Sequence, residues 1–433
     1  MLRRLQTHDV GPAKDMTLEF GERLNVLTGD NGLGKSFVLE LVWWLLTGSW
    51  AGPLAVPSGQ APKVWYQAGD PADERGRAHF EFADQAWRWD GVHKRAPRGS
   101  VIYVGAQRQA SFVHGRSVFP PSFPDVEHRA TEPDAFRFQG SELWEGKVDG
   151  SGRPVCNGLI RDVVNWMRSR PVAGFGSPSA PPAPDPFAAF ERVLEVLSPP
   201  GGKPLTMAAP RRVFVGDSRE IPTLHTPWER EPVPVTLAAA GMRRVLELAY
   251  LLVWTWHEHL QVSQLKRLVP QQELFILVDE PELHLHPRWQ RTVLPAIVAV
   301  ANELDPSLRV QLFVTTHSPL VLASGELLVD PQRDRLFHFD ARGGDVVVDE
   351  HAWVKQGDAV GWLTSELFGF DRGGSLESEQ AIRWADAFME GRVDEIPERF
   401  RDKRTLDEEL RRVLAASDTF WARWFVSSED VAS

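Results

Sequence analysis

The chain has 433 residues, 42% of them hydrophobic and 25% charged, which suits a soluble globular protein of two or three domains or one large domain with insertions. A net charge of −11 excludes wholesale coating of nucleic acid, while a local basic surface stays open. The single cysteine, Cys156, excludes a disulfide framework and a cysteine-built zinc site.

The first eight residues, MLRRLQTH, lack the apolar core of a signal peptide. Residues 24–28, LNVLT, predict a short buried strand, and 36–46, SFVLELVWWLL, predict a helix. Between them GDNGLGKS, residues 29–36, fits the phosphate-loop pattern G-x-x-x-x-G-K-[ST]. A strand, a glycine-rich turn and a helix N-terminus aim backbone N–H groups and the positive end of the helix dipole at an anion. Gly29, Asn31, Gly32 and Gly34 would form the cradle, Lys35 would reach the β- and γ-phosphates, and the Ser36 hydroxyl would sit on Mg²⁺.

Strands are expected over 79–82, 86–89 and 100–105. From 106 to 236 the pattern is weak. Helices are expected over 157–170 and 186–197, with a Pro/Ala/Ser-rich link between them and a break at 198–202. This reads as an inserted, mainly helical or irregular region, and the part best placed to select a partner. No sustained heptads occur, so no long coiled coil is expected. Residues 238–260 predict one long helix; its most apolar part, 245–256, carries Glu247 and is too short to span a bilayer. The chain is therefore expected to be cytoplasmic, with no membrane partner. The run 273–278, ELFILV, predicts a central parallel strand, 287–301 a helix with Pro at its start, and 309–315 another buried strand. Strand, helix and strand with short joins predict a parallel sheet. The tail after 375 reads as exposed helix over 377–390 and 404–425.

Val278-Asp279-Glu280 closes the apolar strand. An Asp there holds Mg²⁺ in phosphate-loop enzymes, often through water, and Glu280 beside it can orient and deprotonate the attacking water. His317, in Thr315-Thr316-His317-Ser318-Pro319 at the next strand end, can hydrogen-bond the γ-phosphate. Lys35, Glu280 and His317 are thus the catalytic candidates, with Ser36 and Asp279 the metal candidates. Arg3, Arg4 and Arg23 are candidates to border an adenine.

In this order, the phosphate loop, AAAGMRR at 238–244, VDEPELHLHP at 278–287 and TTHSPLVLAS at 315–324 resemble ABC-type ATPases. The chain is most similar to the stand-alone branch related to SMC, RecF and OLD-family ATPases. The resemblance covers about 1–50 and 236–340 firmly, and 363–382 weakly. It implies an α/β P-loop NTPase fold of the two-lobed ABC head type, with a mixed sheet and the inserted region. The corresponding division is 1–105 and 237–345 for the two ATPase lobes, 106–236 for the insert and 346–433 for a helical tail. It implies ATP and Mg²⁺ as cofactors and a homodimer, or a higher oligomer, that sandwiches two ATP molecules. Gly241 at the start of the signature helix would face the partner's γ-phosphate, and 282–286 would be the D-loop. The family's signature serine is Ala239 here, which removes one hydroxyl contact and implies slow or partner-gated hydrolysis. The glutamine that couples Mg²⁺ to the inserted lobe is Gln107, with Gln109 as the alternative. Arg243 and Arg244 would pair with phosphate, pair with acids across the interface, or simply start a solvated helix.

Proteins similar to this one pair with a separate nuclease in anti-phage defence systems. Asp330, Asp334 and Asp340 occur singly and make no two-metal cluster, so a sensor or regulatory ATPase acting on a separate nuclease effector is expected. The alternative is a RecF-like repair ATPase that binds DNA directly. A third reading is an ATP-closed scaffold in which hydrolysis is incidental.

Overall fold

A computed structural model describes residues 1–69, 74–90, 99–105, 109–113, 136–139, 141–169 and 185–430. It divides into two compact units, Met1–Lys355 and Gln356–Ser433.

The first unit opens with strands β1 (Leu2–His8), β2 (Asp15–Glu19) and β3 (Leu24–Gly29), then helix α1 (Lys35–Thr47). Strands β4 (Lys63–Ala68), β5 (Glu74–Glu81), β6 (Ala86–Asp90), β7 (Ser100–Val104), β8 (Gln109–Val113) and β9 (Phe136–Gln139) follow. Next come α2 (Glu142–Glu145), β10 (Lys147–Val148), β11 (Pro154–Cys156), α3 (Leu159–Arg168) and α4 (Pro186–Val196). A three-stranded sheet of β12 (Thr206–Arg212), β13 (Glu220–His225) and β14 (Val233–Pro234) precedes α5 (Ala240–Leu265). The last stretch alternates: β15 (Glu273–Asp279), α6 (Pro287–Gln290), α7 (Val293–Leu304), β16 (Arg309–Thr315), α8 (Pro319–Gly325), β17 (Asp334–Arg342) and β18 (Asp345–His351).

The central sheet has the order β18-β17-β3-β16-β15-β7-β8-β9. The five strands from β17 to β7 are parallel, and antiparallel partners finish both margins. Parallel strands here are covered on both faces, which is why β15 is a nearly continuous apolar run and every residue of β3, Asn25 and Thr28 included, is buried. Phe275, Leu277, Phe313, Phe337 and Phe339 share one core with α1 and with β1, β2 and β4 of an antiparallel sheet ordered β2-β1-β4-β5-β6. Enclosed by these elements, α1 is apolar almost all round (Val38 to Leu46). On the other face Val104 and Val278 meet Val245 and Leu248 of α5 and Val293 and Ala296 of α7 around a small apolar cavity.

Several elements depart from the sequence expectation. The helix expected over 287–301 is two, because the Pro295 ring excludes the hydrogen-bonding carbonyl of residue 291 and lacks an N–H. The described part of 106–236 holds α2 to α4 but also β8 to β14. The second unit is helical, with α9 (Ala359–Leu363), α10 (Leu376–Met389), α11 (Lys403–Val413) and α12 (Phe420–Asp430). Its helices are not simply exposed: Ala381, Ala385, Leu406, Leu410 and Trp424 make a core of their own. The break between units falls after Lys355, because β18 still belongs to the central sheet. Among the described residues, no helix is long and apolar enough to cross a membrane.

Candidate functional site

All five parallel strands run the same way, so the loops after β3, β15 and β16 emerge on one edge of the sheet. The loop after β3 is fixed by close backbone approach. A Cβ on Gly29, at φ +127°, would lie 2.1 Å from the Phe339 carbonyl oxygen, and one on Gly34, at φ +96°, would lie 2.2 Å from the Pro12 ring. Only glycine tolerates both the crowding and the left-handed backbone. Asn31 and Gly32 form the exposed rim. Lys35 is buried beneath it, and its Nζ donates to the Gly29 oxygen (2.8 Å) and the Asp30 oxygen (2.7 Å). Burial pulls the ammonium below its ordinary pKa, while Glu280, Asp279 and Asp30 push it back up.

Asp279 is the meeting point. The Ser36 hydroxyl donates to its Oδ1 at 3.0 Å, and the Thr315 hydroxyl donates to the same oxygen at 2.5 Å. Thr315 also accepts the Glu280 backbone N–H at 3.0 Å. Glu280 is held at φ +48°, a conformation disfavoured for a residue with a side chain and found mostly where function over-determines it. His317 Nδ1 lies 3.5 Å from Glu280 Oε1 and 3.6 Å from Glu282 Oε1. The arrangement therefore brings Lys35, Ser36, Asp279, Glu280 and His317 to one edge.

The donors at the Ser36–Asp279 point are oxygens, the set that a hard cation such as Mg²⁺ takes. Among the described residues no group of three His, Cys, Asp or Glu could hold a metal, so a metal here would draw further ligands from a phosphate. Glu40, one helical turn after Ser36, has its carboxyl raised by burial and then by Asp279. That mutual repulsion is what a bound cation would relieve.

Gly241 sits at the start of α5, where a Cβ would lie 2.8 Å from the His284 carbonyl oxygen. Ala239 is the N-cap of α5 and offers no side-chain hydrogen bond. Arg244 does not lie on a solvated helix start. It is buried, and its Nη2 donates to the Gly105 oxygen (3.0 Å) and the Asp279 oxygen (3.4 Å), tying α5 to the ends of β7 and β15. Arg243 is half-buried beside it.

Arg23 precedes β3, about 20 Å of extended chain before Gly29. There it pairs with Asp334 (2.5 Å), while Arg3 pairs with Glu22 and Arg4 with Glu19. Gln107 lies outside the described residues, and Gln109 begins β8.

Thr315 and Glu40, which lie beside Asp279, are not among the sequence candidates, and Glu282 enters there only as the start of the expected D-loop. The Ser36-to-Glu40 spacing was available as a signal. Thr315 faces Asp279 in strand register, which becomes readable only once β15 and β16 are paired.

A family model described as "AAA domain, putative AbiEii toxin, Type IV TA system" matches residues 112–323. That span includes α5, Asp279, Glu280 and His317 but not the phosphate loop. Among solved structures, the chain is similar to an SMC head domain from Thermotoga maritima, with 12% identity, TM-score 0.40, and 81% of this chain and 99% of that one covered. It is also similar to an Smc head bound to the C-winged helix domain of ScpA, with 14% identity, TM-score 0.42, and 81% and 97% covered. A head domain with an extended coiled coil bound to the C-terminal domain of ScpA, from Pyrococcus furiosus, matches with the same identity and TM-score over 81% and 96%. With the GDNGLGKS loop between β3 and α1 and with Asp279 and Glu280 at the end of β15, the described residues form a mixed α/β fold whose largely parallel central sheet is of the P-loop kind.

Proposed function

We propose that the chain binds ATP with Mg²⁺ along this edge and hydrolyses it slowly, in a site completed by a second copy of itself. The observation that carries the reading is the convergence of the Ser36 and Thr315 hydroxyls on Asp279 Oδ1, which joins the phosphate loop to the carboxylate strand.

In this reading Lys35 exchanges the Gly29 and Asp30 carbonyls for phosphate oxygens. Ser36 and Asp279 hold Mg²⁺, which when bound neutralises charge on the phosphates. Glu280 orients a water and takes its proton, while His317 hydrogen-bonds the γ-phosphate. The N-terminus of α5, with Gly241 and four amides that have no helical partner, faces the partner's nucleotide. The biological role we propose is a sensor subunit of a prokaryotic anti-phage defence system that gates a separate nuclease. The reading draws on a family description that names a type IV toxin–antitoxin system, and on the ion pairs that engage two of the three acids considered after His317, Asp334 with Arg23 and Asp340 with Arg342.

The test is the mass and ATP turnover of wild type beside Glu280→Gln, with and without ATP and duplex DNA. The expected result is an ATP-dependent dimer in Glu280→Gln, a loss of turnover of at least about 100-fold, and no response to DNA. Binding of ATP without any dimer would remove the sandwich. Salt-dependent stimulation by DNA would instead favour direct DNA binding of the RecF kind.

A further inference from the structure

The loops after β15 and β16 are joined by one buried carboxylate. Glu282 is 5% exposed, and its Oε1 accepts the Thr316 hydroxyl at 2.7 Å and the His317 backbone N–H at 3.1 Å. Its Oε2 is buried and takes no hydrogen bond. A half-satisfied buried carboxylate is costly, and native structures rarely keep one without a reason. Burial accordingly pushes the Glu282 carboxyl above its ordinary pKa, against the Thr316 hydroxyl, the His317 N–H and the His317 ring. An uncharged amide would serve the Thr316 hydroxyl and the His317 N–H equally well. What a carboxylate adds at Glu282 is negative charge beside His317 Nδ1, 3.6 Å away, where Glu280 Oε1 also lies at 3.5 Å, on a ring whose side chain is 45% exposed; of the two, only Glu282 is also bonded to the His317 backbone N–H.

Glu282 also belongs to a stiff turn. The Leu285 N–H closes on the Glu282 carbonyl at 2.8 Å, and His284 adopts φ +64°. The carbonyl of His284 is the atom that a Cβ on Gly241 would strike. Gln290 accepts the Ser318 hydroxyl and donates to the Leu285 oxygen, which adds a second bridge between the same two loops.

Resting on the ATPase reading above, we propose that Glu282 is a positioning residue. It turns the Nδ1–H of His317 inward, leaves Nε2 as the nitrogen for phosphate, and ties that orientation to the turn beneath the start of α5. Neither ring nitrogen can be assigned from motif spacing, because the hydrogen bond made by one sets the role of the other.

Two measurements on the full chain test it. In the first, histidine ¹⁵N NMR of the nucleotide-free protein, the His317 signals are identified by their loss in His317→Ala. The expected result is a proton on Nδ1 in wild type and a move toward the Nε2–H tautomer in Glu282→Gln. A ring unchanged in Glu282→Gln overturns the proposal. In the second, ATP turnover, Glu282→Gln is expected to lower kcat by about 10-fold or more with KM within about threefold. The double variant with His317→Ala should be no slower than His317→Ala alone, and additive losses would count against the proposal. If wild type and Lys35→Ala share one background rate, the ATPase reading fails, and the NMR result still decides the placement of Glu282.

Discussion

Asp279 is oriented by two hydroxyls, one from the phosphate loop and one from the neighbouring strand. Ser36 follows from a motif with fixed spacing, so it is legible in the sequence. Thr315 is legible only as the end of a strand, because its role comes from lying opposite Asp279 across the sheet. Thr315 does two things at once: it donates to Asp279 Oδ1 and accepts the N–H of the strained Glu280. Thr315→Val keeps the shape and removes both bonds. It is expected to reduce ATP turnover by roughly 10–100-fold, as loss of a supporting hydrogen bond does at metal sites, while Thr315→Ser stays near wild type. Steady-state kinetics of the two variants side by side decide this, and equal rates in Val and Ser would remove Thr315 from the site.

Among the elements, those whose period matches their burial could be read from sequence. The strands β3, β15 and β16 and the helices α1 and α5 belong to this group. The β12–β13 pair could not, because β12 is mostly exposed and carries Pro210, whose missing N–H falls at the register shift between Ala208 and Arg211. The start of α5 matters most for function. Four N–H groups there have no helical partner and Ala239 caps none of them. Ala239→Ser is expected to stabilise the fold by about 1 kcal/mol through N-capping. In the sandwich reading it also restores a hydroxyl toward the partner's phosphate, so turnover should rise. Thermal melts and turnover measured on the same preparation separate the two effects. A higher melting temperature with unchanged turnover would mean that this helix end meets no phosphate.

At the scale of the whole molecule, stability should fall in mild acid. His259 on α5 is 1% exposed, and its Nε2 accepts the Gln271 N–H at 2.8 Å. Burial depresses its pKa to about 4. The unfolded chain therefore binds a proton that the folded one refuses between the ordinary 6.5 and about 4, and stability rises with pH through that window. The contribution lost between pH 7 and pH 5 is about 2 kcal/mol. Urea unfolding at these two pH values should show a larger drop for wild type than for His259→Gln. Equal drops would mean that His259 takes its proton without unfolding.

Ser36 and Asp279 stand 243 residues apart in the chain, and β3 completes its pairing only when β16 and β17 exist. During synthesis at about 5–20 residues per second, the phosphate loop leaves the ribosome roughly 12–50 s before the strand that carries Asp279. Throughout that interval the Leu24–Gly29 segment, every residue of which is buried in the folded chain, has neither of its neighbours in the sheet and leaves Leu24, Val26 and Leu27 exposed. Products ending before β15 would carry the GDNGLGKS loop without the Asp279 carboxylate that Ser36 meets in the full chain.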